Sequence, residues 1–238
     1  PGDAKAEIMY DGRQSRIRMI WMDKTLDQCD AAVGDFLRVG IEIRTNDVGE
    51  GAVRGRSFIE QARCLNCTYV SRLLDIGRLR HDGRCLSLEE LPDALHNLIG
   101  TALGKVNPFM EKWKEAEIRS VVDQELHGID VEPVFAKLVE RRLVPKITGC
   151  KDNELVRRLK VAYWHDPSPT LRGISNALTR AAHTNVWSSP WIEDDLQAVA
   201  GDIIQADSKT VKMFQRATND AWNAGWKPGN FTLNDAQT

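Results

Sequence analysis

Three groups of residues have the types and spacing to do chemistry. The first is Cys64-Leu65-Asn66-Cys67, with His81 and Cys85 downstream. Two thiolates two residues apart, an imidazole and a further thiolate match the donor set of a tetrahedral zinc site. The downstream pair, however, is spaced His-x-x-x-Cys, and the CxxC ends an apolar run, where free cysteine packs as a small hydrophobe. Packing without metal is the expectation, and no βαβ pattern surrounds the pair to suggest thioredoxin-like redox work. The five cysteines are scattered, the usage of reduced thiols in the cytoplasm rather than of a disulfide framework.

The second group lies in TLRGISNALTRAAHTN. Asn176, Thr179 and His183 fall at i, i+3 and i+7, on one face of a helix, set against Ile174, Leu178 and Ala181. Such a polar stripe is an internal hydrogen-bond network or a ligand edge. Catalysis would need Ser175 or Thr179 beside His183, and neither stands in a recognisable nucleophile elbow. His165 and Asp166 lie just before the helix.

The third group is cationic. Between Gly51 and Arg84 seven arginines face Glu60, Asp75 and Asp82; between Lys137 and Lys160 eight Lys or Arg face Glu140, Asp152 and Glu154. Arginines with aromatic neighbours suit phosphates and stacked bases. The candidate contacts are Arg54, Arg56, Arg63, Arg141, Arg142, Arg157 and Arg158, with Tyr69 and Trp164 as stacking platforms. An ordinary solvated helix face would have the same charge pattern.

Strands must position the first of these basic runs. Phe36 to Ile43 alternates apolar and polar residues at the two-residue period of a half-buried strand. TNDVGEG is turn chemistry, and AVRGRSFIEQARCLNCTYV returns from it, so Asp35 to Arg72 reads as a long hairpin leading into a helix or buried strand. Arg38, Arg44, Arg54, Arg56 and Arg63 hold its outer face. Before it, Glu7 to Asp23 reads as a tight hairpin turning at Asp11-Gly12, giving at least four antiparallel strands. From Val70 the period becomes helical. Ser87 and Glu90 form a capping box ahead of the stripe Leu91, Leu95, Leu98, Ile99 and Ala102. Pro108 opens a second helix whose core face holds Phe109, Trp113, Ala116 and Val121. Further helices are expected over Val131–Leu143, Asp152–Tyr163, Ser168–Thr184 (Ser168 as N-cap, Pro169 first in the helix), Ile192–Phe214 and Ala217–Trp226.

At 238 residues, 42% hydrophobic and 28% charged, with a formal net charge of −2, the composition is that of a globular protein. No apolar run reaches the ~18 residues of a membrane span, and no signal peptide is visible. The chain begins Pro-Gly-Asp, as a fragment or a processed chain would.

Two stretches resemble a family encoded on phages and plasmids that contains a domain of unknown function. In GIEIRTNDVGEGAVRGRSFIEQARCLNC the matching positions are Thr45, Asn46, Asp47 and Gly49, then Cys64 and Asn66. In SPTLRGISNALTRAAHTN they are Asn176, Ala177, Thr179 and His183. Cys67 stands where that family has Thr or Gly. The resemblance spans Gly40 to Gly201 and implies a mobile-element setting near replication and recombination, with no established activity.

The expected fold is α+β: an antiparallel β-rich region over residues 1–86, a helical region over 87–226 packed on it as one domain, and a tail at 227–238. The expected function is nucleic-acid binding in phage or plasmid DNA metabolism, with single-stranded DNA favoured and strand binding or annealing as the work. It would involve no cofactor, no metal and no membrane, and a homo-oligomer. The alternatives are a protein-interaction factor acting on a host partner and an enzyme using His183.

Overall fold

The computed structural model describes residues 4–10, 14–25, 37–46, 53–61, 67–70, 74–77, 91–122, 131–147, 149–184, 187 and 190–225. The fold is α+β, with an N-terminal antiparallel sheet followed by helices. It divides into two compact units, Pro1–Met110 and Glu111–Thr238, so the first helix belongs with the sheet rather than with the helical half.

In the first unit, β1 (Ala4–Tyr10), β2 (Gln14–Thr25), β3 (Leu37–Asn46), β4 (Val53–Gln61) and β5 (Cys67–Tyr69) pair in chain order. A sixth strand, β6 (Leu74–Gly77), also pairs with β4, at Val53–Gly55, while β5 pairs at Phe58–Glu60. Both hairpins expected from the sequence are therefore present, and β6 extends the sheet past Val70, where a helical period was expected. The first hairpin is wider than a two-residue turn allows, because Tyr10 pairs with Ser15. The Asp11-Gly12 turn itself lies outside the described residues.

Period-two alternation sorts the sheet's side chains. One face carries Val39, Ile41 and Ile59, all buried, and receives α1 (Leu91–Gly104). The helix comes close because β4 offers Gly55, where a Cβ would collide with Leu98. Four residues along the same stripe, the Ala102 carbonyl accepts a 2.8 Å hydrogen bond from Ser57 Oγ. Ser87 and Glu90, the expected capping box, lie outside the described residues.

The boundary between the units falls inside α2 (Val106–Ile118). Phe109, Trp113, Ala116 and Val121 are all buried, as the stripe required. The second unit contains α3 (Glu132–Glu140), α4 (Asp152–Tyr163), α5 (Leu171–Thr184), α6 (Pro190–Ile204) and α7 (Ser208–Asn223). Its centre is α5, which buries Leu171, Ile174, Ser175, Ala177, Leu178, Thr179, Ala181 and Ala182. The start of α5 is later than the sequence suggested: Thr170, not Ser168, accepts from the Gly173 amide at 3.2 Å. Backbone bonds from Val121 N to Pro169 O and from Leu171 N to Arg119 O tie this start to the segment after α2. The expected helix Ile192–Phe214 is two helices, because Asp207 Oδ1 accepts the Thr210 amide at 2.7 Å and starts a new one.

Candidate nucleic-acid interface

Two helices of the second unit build a basic groove. Lys137 on α3 and Arg141, the residue that caps its C-terminus, sit one turn apart. On α7, Val211, Phe214 and Thr218 turn inward, which leaves Lys209, Lys212 and Arg216 at i, i+3 and i+7 on another face. These five cations line a groove of about 830 Å³ together with Ser208, Thr210, Met213, Ala217 and one carboxylate, Asp220. Lys137 pairs with Glu140 at 2.9 Å. Among the described residues, Arg141, Lys209, Lys212 and Arg216 make no ion pair, and all four are exposed. The N-terminus of α7 is satisfied by its own Asp207 cap, so the positive field of the groove comes from side chains rather than from the helix end.

Of the expected contacts that are among the described residues, Arg141 alone lines this groove. Arg142, at a left-handed φ of 54°, pairs with Asp152 at 3.2 Å. Arg157 and Arg158 on α4 both hold Glu154, at 3.0 and 2.9 Å, and their hydrogen bonds keep its carboxyl down at about 2. Arg158 also lies 5.1 Å from the Trp187 ring centroid. Trp164 is 37% exposed and meets Tyr163 edge-on. Arg54 is exposed on β4. Arg63 lies outside the described residues.

Arg56 and Tyr69 are corrected by burial: both are inside, out of reach of a phosphate or a base. Cross-strand register sets Arg18, Glu42 and Arg56 in one row across β2, β3 and β4. Glu42, fully buried, accepts from Arg18 Nε at 3.0 Å, Arg44 Nε at 2.7 Å, Arg56 Nη2 at 2.9 Å and Tyr69 OH at 2.5 Å. Arg18 donates to the Tyr69 hydroxyl, and the Arg56 guanidinium stacks 3.1 Å above the Tyr69 ring centroid. Burial alone would push the Glu42 carboxyl up. The three guanidiniums and the tyrosine outweigh it and hold the carboxyl at about 2. The face of β4 that carries Arg56 is thus an internal network at this row, not a solvated one.

The stripe on α5 is mainly a packing feature. Thr179 is buried and donates to the Asn176 carbonyl at 3.0 Å, and Ser175 donates to the Ala200 carbonyl at 3.0 Å. His183 lies near the surface with Nδ1 3.0 Å from Glu193 Oε1 and Nε2 3.2 Å from the Gln197 amide nitrogen. The neutral imidazole fits these partners with its proton on Nδ1, giving to the carboxylate while Nε2 accepts. Among the described residues, the Ser175 and Thr179 hydroxyls bond backbone carbonyls rather than His183.

Cys64, His81 and Cys85 lie outside the described residues, as does the Cys67 side chain. Among the described residues no cluster of three or more His, Cys, Asp or Glu is placed to hold a metal ion, and no helix is long and apolar enough to cross a membrane.

Sequence reasoning missed Lys209, Lys212 and Arg216. Their helical spacing is readable in KTVKMFQR, but the acids of the C-terminal third, Asp207 and Asp220 among them, mask it in any local charge count. No family model, curated protein or solved structure matches the chain.

Proposed function

We propose that the chain is a nucleic-acid-binding protein of phage or plasmid DNA metabolism. It acts in the cytoplasm on single-stranded DNA, as a homo-oligomer, in strand binding or annealing. One observation supports nucleic-acid binding above the others: the α3–α7 groove, whose described lining holds Lys137, Arg141, Lys209, Lys212 and Arg216 with one carboxylate, Asp220. Arg141, Lys209, Lys212 and Arg216, solvent-facing and without an ion pair among the described residues, carry a field that attracts polyanions and releases their counterions on contact. Among the described residues its lining is cationic and aliphatic rather than aromatic, which suits contacts to phosphates that position a strand without reading its sequence. The mobile-element setting rests on the resemblance of the Gly40–Gly201 stretch.

The test compares two double variants by fluorescence anisotropy with labelled oligonucleotides. Lys212→Ala/Arg216→Ala should weaken binding at least about ten-fold, alike for all sequences. Arg157→Ala/Arg158→Ala should leave it nearly unchanged, because Glu154 already engages both guanidiniums. The opposite ranking would move the interface to α4, and no binding by the parent protein would remove the function.

A further inference from the structure

We propose that β1 is the contact edge of a homodimer, a second copy adding its own β1 antiparallel across a twofold axis at Ala6. This gives the homo-oligomer of the proposed function a surface, and it stands even if the α3–α7 groove binds no nucleic acid.

β1 ends the strand order of the sheet, and it pairs with β2 in one unbroken register from Ala4 to Tyr10. Edge strands with unused hydrogen-bonding groups are normally kept from pairing by proline, bulges or inward charges. AKAEIMY has no proline, and its pairing carries no bulge. On one of its faces Ile8 is 75% and Tyr10 62% exposed, backed by the half-exposed Ile17, the cross-strand partner of Ile8. Edge pairing with a second copy would give Ile8 an in-plane neighbour on its open side, as Ile17 is on the other.

The other face selects the partner. Lys5 and Glu7 project from it side by side, Nζ to Oε1 at 2.8 Å, both exposed. In an antiparallel pair centred on Ala6, Lys5 stands opposite Glu7 of the second copy, and Glu7 opposite its Lys5. The same register sets the bulky Ile8 against the small Ala4 of the other chain, twice. Sliding by two residues in one direction opposes Glu7 to Glu7, and in the other direction Lys5 to Lys5. Like charges directly opposite destabilise a ladder. Charge and side-chain size therefore favour the same register, and the occupant that fits it is a second copy of this chain.

Sedimentation equilibrium of the full chain at low salt, without nucleic acid, tests the proposal. The parent protein should be a dimer at micromolar concentration. Lys5→Glu and Glu7→Lys should each raise the dissociation constant about ten-fold or more, since each opposes like charges in both symmetric pairs. An equimolar mixture of the two variants should dimerise again, because opposite charges then face each other across the axis. Mixing cannot restore the intrachain Lys5–Glu7 pair, so recovery reports the contact between copies alone. A monomeric parent protein, or a mixture that associates no better than either variant, would overturn the proposal. Oligonucleotide binding by a monomeric parent protein would leave the groove intact and remove only the dimer.

Discussion

Arg56 donates Nε and Nη2 to the same oxygen of Glu42, at 3.1 and 2.9 Å, from the position directly across the β3–β4 ladder. Both residues are buried, and Arg18 and Arg44 converge on the same carboxylate. One negative charge therefore holds three guanidiniums together. Glu42→Gln should cost about 3–5 kcal/mol, the penalty for leaving buried charge without its partner. Urea denaturation monitored by tryptophan fluorescence measures it. An unchanged midpoint would mean that the network contributes nothing to stability.

The same carboxylate sets an acid limit. Its folded-state pKa of about 2 lies below the ordinary value of 4.5, so its contribution is present above about pH 4.5 and is lost as pH falls towards 2. The stability gap between the parent protein and Glu42→Gln should narrow steadily over that window. A gap independent of pH would show that Glu42 is not the titrating group.

Both hairpins were legible because a strand's side-chain period is fixed and local: Phe36–Ile43 alternates whatever surrounds it. The inward fate of Arg56 was not legible. It depends on register, which brings Arg18, Glu42 and Arg56 into one row from separate strands, and a basic residue reads as exposed until its partner is known. The Asp152–Tyr163 helix was read to the residue, while the α6–α7 break was missed because apolar periodicity runs on through Ala206. Only the Asp207 cap, with its bond to the Thr210 amide, marks the break. The basic groove joins Lys137 and Arg141 to Lys209, Lys212 and Arg216, far along the chain, which no local charge count can associate.

Two glycines should respond in opposite senses. At Gly173 in α5 a Cβ would run into the Ser168 backbone carbonyl, which no rotamer change can move aside. Gly173→Ala should destabilise by about 1–3 kcal/mol or more, as overpacking does. At Gly100 in α1 nothing among the described residues lies within 4 Å of an added Cβ, and Gly100→Ala should stabilise by about 0.5–1 kcal/mol through helix propensity. Thermal unfolding of the two variants decides, and a stabilised Gly173→Ala would contradict the close approach.

Asp207 separates stability from binding. Asp207→Ala removes the cap of α7 and should lower the melting temperature. It also removes a negative charge next to Lys209, so oligonucleotide affinity at permissive temperature should hold or rise. A parallel loss of affinity would show that the groove needs an intact helix start more than it needs net positive charge.

The salt dependence of oligonucleotide binding tests the central claim most directly. Anisotropy titrations of labelled single strands at several salt concentrations give the slope of log affinity against log salt. With all five groove cations on phosphates the slope should approach roughly −3.5, at about −0.7 per contact, and flatten by about 1.4 when Lys212 and Arg216 are both replaced by alanine. A slope unmoved by those substitutions, or no binding at low salt, would contradict a nucleic-acid groove between α3 and α7.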